Sequence, residues 1–433
     1  MLLYFKQAWN LIRQEKLFSS IYIIGTGLSI TVVMVLAIVY YIKIANIYPE
    51  TNRSRLLSVK YAEVVKDDGG MNAYYLSLQT IETCFYPLQG AEAVSAVYEA
   101  SNESFVQPEG SAEQIPVKIK YVDTGFWKVF NFSFRGGNPF TEADMQSGMQ
   151  TAVIAETFAR RIFGSVDVVG RTISLDFRPF KICGVVKDVS YATVNTYAQV
   201  WVPYTSIEDI ELEETDTNGC LGAFTAYILA SSEGDVEQVQ AEAKENIRKF
   251  DSTLEGATFS IKGQPDKQWQ SAIREWNTRD DFTKELLQYG VLILILLLVP
   301  AVSLSGMADS QMEKRLAEIG IRRSFGAPKY TLMNQLVAEN LFFTLLGGLL
   351  GLILSFLIVY LAQNWILQIG MDSVMFEGMP PEGTHSIMKP SMMINFNIFF
   401  IALGICVVLN LLITVLPAWR ASRKEIIYSL NAK

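Results

Sequence analysis

EKRLAEIGIRRSFGAPKYTLMNQL, residues 313–336, lies between two long apolar runs. It carries Lys314, Arg315, Arg322, Arg323 and Lys329 against only Glu313 and Glu318. Leu316, Ile319 and Phe325 mark one apolar helical face, and Arg315, Arg322 and Arg323 a basic one. Gly326, Ala327 and Pro328 stop that helix, and Pro328 suits the first position of a second, running through Val337 into the next apolar run. A basic amphipathic segment in this position either lies on anionic lipid or docks a cytoplasmic partner, and composition leaves both readings open.

The flanking runs set the architecture. Phe18–Ile42, Leu286–Met307, Asn340–Met371 and Pro390–Trp419 hold no charged residue. A helix crosses a bilayer with about 20 apolar residues, so four spans are expected, at 18–42, 286–307, 340–362 and 395–417. The apolar part of the first is too long for a cleaved signal peptide. Lys and Arg concentrate in the lead-in helix 1–17, the loop 308–339 and the tail 418–433, whereas 363–394 has only Lys389. Positive flanks stay inside. Both termini and 308–339 are therefore expected in the cytoplasm, with 43–285 and 363–394 outside.

Residues 44–284 carry 22 Lys and Arg against 34 Asp and Glu, within a chain of net charge −8. So acidic an outer domain argues against a nucleic-acid partner. It reads as α+β, inserted between spans one and two. LLSVKYAEVV (56–65) is a strand candidate, and IPVKIKYVD (115–123) alternates apolar and basic residues as a strand does. Residues 151–190 read strand, short helix Glu156–Phe163, a stop at Gly164, then a hairpin of 172–177 and 180–186. Residues 235–250 are a helix with Val236, Val239, Ala243 and Ile247 on one face. From 271 to 290 the chain has no Pro and no Gly before Gly290, so a continuous stalk helix into span two is expected, its outer part being 271–285.

No catalytic constellation is evident. His385 is the single histidine, and no G-x-x-x-x-G-K-[ST] phosphate loop occurs in the 433 residues. Cys84, Cys183, Cys220 and Cys406 have no metal-ligand spacing, and a Cys84–Cys220 disulfide stays open. No cofactor or metal is expected on this chain. Within the spans, small residues recur four apart: Gly25 and Ser29, Ala301 and Ser305, Gly347 and Gly351. Such pairs let helix backbones approach closely in lipid. The span cores hold no Asp, Glu, Lys or Arg, which disfavours an ion-coupled transporter.

The segment RLAEIGIRRSFGAPKYTLMNQLVAENLFFTLLGGLLGLILS resembles the signature of the FtsX-like, macrolide-exporter (MacB) type of ABC transporter permease. Arg315, Glu318, Ile319, Gly320, Ile321, Arg322, Arg323, Gly326, Ala327 and Glu339 carry the match, and Ser324 stands where Ala is usual. The tail LPAWRASRKEIIYSL is similar to the family's ending through Pro417, Ala418, Arg420 and Ala421, with Ile426 in place of Pro. AVIAETFARRIFG and FKICGVV resemble its periplasmic core domain. The resemblance implies a dimer of four-span units in the cell inner membrane, paired with a second copy or a paralogue. An ATPase on a separate polypeptide, binding ATP and Mg, would dock on the helix formed by Arg315–Ala327. A periplasmic adaptor is a further implied partner. The implied activity is mechanotransmission driving export of peptides, antibiotics or other amphiphiles. Lipoprotein release is the alternative within the family, and a membrane sensor with an outer ligand-binding domain is the alternative outside it.

Overall fold

The computed structural model describes residues 16–99, 104–108, 113–206, 219–274 and 329–369, and parts of 9–14, 282–295 and 396–411. The chain divides into two compact units, one holding Met1–Tyr40, Thr283–Gln363 and Lys389–Lys433, the other Tyr41–Phe282 and Asn364–Met388.

α1 runs unbroken over Lys16–Ile44, most of it in the first unit and its last turn in the second. A second long helix runs over Lys329–Ile369. Each contains a 26-residue stretch long and apolar enough to span a membrane, Ser19–Ile44 and Val337–Ala362. The second helix extends past the expected end of its span, so 363–369 is helix rather than loop. The first breaker after Leu336 is Gly370, because the glycines inside the span serve packing. Residues of the expected spans 286–307 and 395–417 are helical where described, including the short apolar helix Phe399–Val408. The stretch 308–328 and the tail 418–433 lie outside the described residues.

The second unit is α+β. Its strands, in chain order, are β1 Leu56–Val59, β2 Ala62–Lys66, β3 Met71–Leu76, β4 Ala91–Tyr98, β5 Ser104–Gln107, β6 Ile115–Val117, β7 Ile119–Val122 and β8 Phe134–Gly137. They continue with β9 Thr151–Ala155, β10 Thr172–Leu175, β11 Arg178–Val186, β12 Val200–Pro203, β13 Leu221–Gly222, β14 Phe224–Ala230, β15 Ala257–Ser260 and β16 Asp266–Lys267. The spatial order is β15-β2-β3-β14-β4-β7-β12-β9-β11-β10-β5-β6. Only the β7–β12 and β9–β11 pairs are parallel; the other described pairs are antiparallel. The single strand expected over 56–65 is two strands, because the Lys60 amide turns aside to bond Gln264 Oε1 at 2.8 Å. After the turn β1 pairs with β14 while β2 pairs with β3 and β15.

Helices cover the sheet. α2 is Leu78–Cys84, started by Ser77, whose hydroxyl accepts the Thr80 amide. α3 is Phe126–Val129 and α4 Glu142–Gln146. α5, Glu156–Phe163, ends at Gly164 in the left-handed region (φ 68°), where a Cβ would be strained. α6, Val236–Asp251, buries Val236, Val239, Ala243, Ile247 and Phe250 at helical spacing. The aromatic centre of the core is Trp201, fully buried, with Trp127 and Phe132 packed edge-on against it. A short α7, Gln268–Ser271, follows β16, and α8 is the Lys329–Ile369 helix of the other unit. α7 ends at Ser271 and the chain turns through 272–274. The expected stalk is therefore not continuous from 271; residues 275–281 lie outside the described ones, and 282–295 are helical where described.

The first and last strands of this unit are neighbours. β1 has β14 on one edge and β16 on the other, with Ser58 opposite both Tyr227 and Asp266. Chain entry and chain exit thus converge on one corner.

Candidate functional site

Two buried ion pairs of the unit lie at that corner, Arg53 with Glu50 and Arg274 with Asp266. The last carbonyls of a helix have no partner within it, and the aligned peptides leave about half a negative charge there. At the C-terminus of α1, one Nη of Arg53 donates to the carbonyls of both Ile42 and Ala45, each at 2.7 Å. Arg53 Nε donates to Glu50 Oε2 at 2.8 Å, and both side chains are at most 2% exposed. Glu50 is satisfied in turn: Asn195 Nδ2 donates to Oε2 at 3.2 Å and Thr196 Oγ1 to Oε1 at 3.0 Å. Tyr227 of β14 donates to Asn195 Oδ1 at 3.2 Å, and Trp201 Nε1 to the Thr196 carbonyl at 3.2 Å. The helix end is therefore wired through Arg53 and Glu50 to the centre of the core.

Tyr48 strengthens this side. Its hydroxyl accepts the Ser133 amide at 3.0 Å and donates to the Lys187 carbonyl at 3.3 Å. The Lys187 ammonium lies 5.2 Å from the Tyr48 ring centroid. Burial raises the phenol pKa of Tyr48 above its ordinary value, so it stays protonated and keeps its donor.

The exit side builds a matching knot. Arg274 and Asp266 form a two-pronged ion pair, with one prong, Nη2 to Oδ1, at 2.7 Å, and both side chains under 5% exposed. The Arg274 guanidinium lies 5.2 Å from the centroid of the Phe282 ring, which also packs edge-on against Trp269. Gln264 accepts the Lys60 amide and donates to the carbonyls of Tyr61 (2.7 Å) and Ile261 (2.9 Å). Gln268 then reaches the carbonyl of Lys43, in the last turn of α1, at 2.9 Å. Three carbonyls of one helix end are thus held by side chains from opposite ends of a domain of some 240 residues.

Other titratable groups read as structural. Asp123 is fully buried and accepts from Ser95 Oγ, Tyr86 OH and the amides of Ala96 and Phe126, all at 2.7–2.9 Å. Burial raises its pKa above the ordinary carboxylate value, although those bonds oppose the shift. Cys84 and Cys220 are both free, so the disulfide left open by the sequence is not formed. Burial pushes the thiols of Cys84 and Cys183 up to about 12, which leaves neither a ready thiolate. No metal-binding cluster occurs among the described residues.

Of the residues singled out by sequence, Arg315, Glu318, Ile319, Gly320, Ile321, Arg322, Arg323, Gly326 and Ala327 lie outside the described residues, as do Ala301 and Ser305. Gly347 and Gly351 face α1 directly. A Cβ on Gly351 would stand 2.7 Å from the Gly27 carbonyl, and one on Gly347 3.0 Å from that of Ile23. Thr31 Oγ1 donates to Gly27 O at 2.8 Å and also lies 3.3 Å from Gly351 O. Tyr22 and Phe343 close the seam, with ring centroids 5.6 Å apart. Gly27 holds the contact position on α1, whereas Ser29 turns its hydroxyl back to the Gly25 carbonyl at 2.8 Å. Gly27 was missed because its partners lie on another helix, beyond the reach of a four-residue spacing. Glu50, Arg53, Asp266, Gln268 and Arg274 were missed too; a lone arginine just past an apolar span was the available signal.

A model of the MacB-like periplasmic core domain matches residues 19–246, and one of the FtsX-like permease C-terminal region matches 290–426. An uncharacterized ABC transporter permease, YknZ of Bacillus subtilis, is 21% identical over 280 residues, covering 61% of this chain and 62% of that protein. The macrolide export ATP-binding/permease protein MacB 1 of Yersinia pestis bv. Antiqua is 26% identical over 286 residues, covering 64% of this chain and 41% of that protein. The chain thus matches less than two thirds of the length of either relative. The crystal structure of the periplasmic region of MacB from Actinobacillus actinomycetemcomitans aligns at 16% identity and a TM-score of 0.33, covering 49% of this chain and 92% of that one.

Proposed function

We propose, from the premise that the chain belongs to the MacB-like periplasmic core domain family and is an ABC transporter permease of MacB/FtsX type, that it works as a mechanical transmitter. An ATPase on a partner polypeptide docks on 315–327 at the cytoplasmic face of the inner membrane, where Arg322 and Arg323 offer charge to it. ATP-driven closure of two such partners displaces the membrane helices of a permease pair, and the extracytoplasmic domains move in response. The cargo class is peptides, antibiotics or other amphiphiles, released outside, with an adaptor receiving them. Macrolide export is what the Yersinia relative is named for.

One observation carries this reading. The C-terminus of an apolar, span-length helix is held by a fully buried ion pair wired to the domain core. A passive tether needs no such rigidity. Holding two long charged side chains out of water costs desolvation that only good geometry offsets.

The test is isolation of the chain from its native membrane with ATP hydrolysis as the readout. Wild-type chain is expected to bring down an ATPase, and the Arg322→Glu/Arg323→Glu pair to lose it. Hydrolysis by the reconstituted pair is then measured with peptide and lipoprotein cargoes in parallel. A chain that never brings down hydrolytic activity, or a double reversal that pairs as well as wild type, would sink the transport reading and leave the sensor.

A further inference from the structure

Resting on that reading, we propose that displacement enters the extracytoplasmic domain through α1 rather than through the second connector, and that Arg53 and Gln268 are the positioning residues that make it do so. α1 is one uninterrupted helix from Lys16 to Ile44. A helix in compression or tension conserves its length, because stretching it breaks a ladder of hydrogen bonds. The second connector is not built that way. Its helix α7 stops at Ser271, and the chain turns at 272–274, where Arg274 folds back onto Asp266. The turn at 272–274 absorbs motion that a continuous helix would pass on.

The two connectors are nonetheless not independent. Arg53, from the entry side, holds the carbonyls of Ile42 and Ala45. Gln268, from the exit side and 225 residues away from Lys43 in sequence, holds the Lys43 carbonyl between them. Both grips close on one turn of helix, so movement of that turn pulls on both ends of the domain together. β16 lies beside β1, and Asp266 of β16 anchors Arg274. The exit connector is in this way carried by the α1 end instead of driving the domain separately.

The experiment uses the full chain reconstituted with its ATPase in lipid vesicles, so no cargo need be known. Spin labels on Asp68→Cys and Leu361→Cys report the distance between the domain and α8 with and without trapped ATP, and hydrolysis is measured on the same samples. In the Arg53→Met/Glu50→Leu pair, which removes both charges and keeps the apolar volume, ATP hydrolysis is expected to persist while the ATP-driven distance change is lost. Arg53→Lys, which keeps the charge and one donor to the helix end, is expected to restore part of it. Because the double variant can fail to fold, Gln268→Leu supplies a second reading from a single, half-exposed hydrogen bond; a reduced distance change with intact hydrolysis is expected there. A folded double variant whose distance change equals that of wild type overturns the inference. So does a Gln268→Leu chain indistinguishable from wild type when the double variant is lost to misfolding. A wild-type complex with no ATP-driven change defeats the transmitter reading itself, a different outcome from either.

Discussion

The seam between α1 and α8 and the joint at the end of α1 hold structure together by opposite means. At the seam, side chains are removed: Gly27, Gly347 and Gly351 bring two backbones so close that added methyl groups would collide with carbonyls and with Thr26 and Ile30. At the joint, side chains are added and charged: Glu50 and Arg53 sit fully buried amid donors and acceptors. Surroundings explain the difference. Lipid tails are as apolar as leucine, so helices in a bilayer gain little by burying more hydrocarbon and associate by close fit. In an aqueous-facing domain the core is already apolar, and a buried ion pair there adds direction rather than bulk cohesion.

The largest expected effect tests the charged half of that contrast. Glu50→Ala leaves Arg53 buried without its carboxylate, and breaking a buried pair from one side costs roughly 3–5 kcal/mol. Thermal or denaturant unfolding of the detergent-solubilised chain should show a fall of that order. A cost no greater than an exposed substitution would erase the contrast.

At the seam, Gly351→Val is expected to cost about 1–3 kcal/mol through overpacking. Gly404→Ala, where a Cβ meets nothing within 4 Å, should be silent or slightly stabilising through helix propensity. Equal losses at the two glycines, read by unfolding and by elution as a single species, would show that close approach is not what the seam depends on.

Ser77→Ala calibrates both. It removes one neutral cap from α2 and should cost about 1 kcal/mol, well below Glu50→Ala in the same domain.

The smallest effect concerns a buried carboxylate whose described donors are all neutral. Asp123 has a raised pKa in the fold, so the folded state holds its proton more tightly than the unfolded chain does. That contribution is complete below the ordinary carboxylate pKa and is lost as pH rises through the raised one. Melting temperature of the solubilised chain should decline across that window, and Asp123→Asn should flatten the decline. An unchanged slope in the variant would mean that Asp123 is not the group responsible.

Some of this was readable residue by residue. Val236, Val239, Ala243 and Ile247 recur at helical spacing and are the buried face of α6. Glu156–Phe163 with its Gly164 stop is the helix that its composition implies, because capping chemistry acts within a few residues. The split of 56–65 into β1 and β2 was not readable, since the residue that turns the chain at Lys60 is Gln264, some two hundred positions on. The turn at 272–274 interrupts the expected stalk where it leaves α7; Arg274 there pairs with Asp266 and lies over the Phe282 ring, contacts that local helix propensity does not register.

Sequence by itself determined that this chain enters lipid, that an acidic α+β domain is attached to its apolar helices, and which permease family it belongs to, because hydropathy, charge bias and signature motifs are properties of contiguous residues. Only the tertiary structure decided that Arg53 and Gln268 grip one helix end, that Gly27 meets α8, and that the second connector turns at 272–274. The Gln268 and Gly27 contacts join residues more than two hundred positions apart, and the Arg53 and Arg274 contacts reach 8–11 residues along the chain; in each case the energy exists only once the fold has taken both partners out of water.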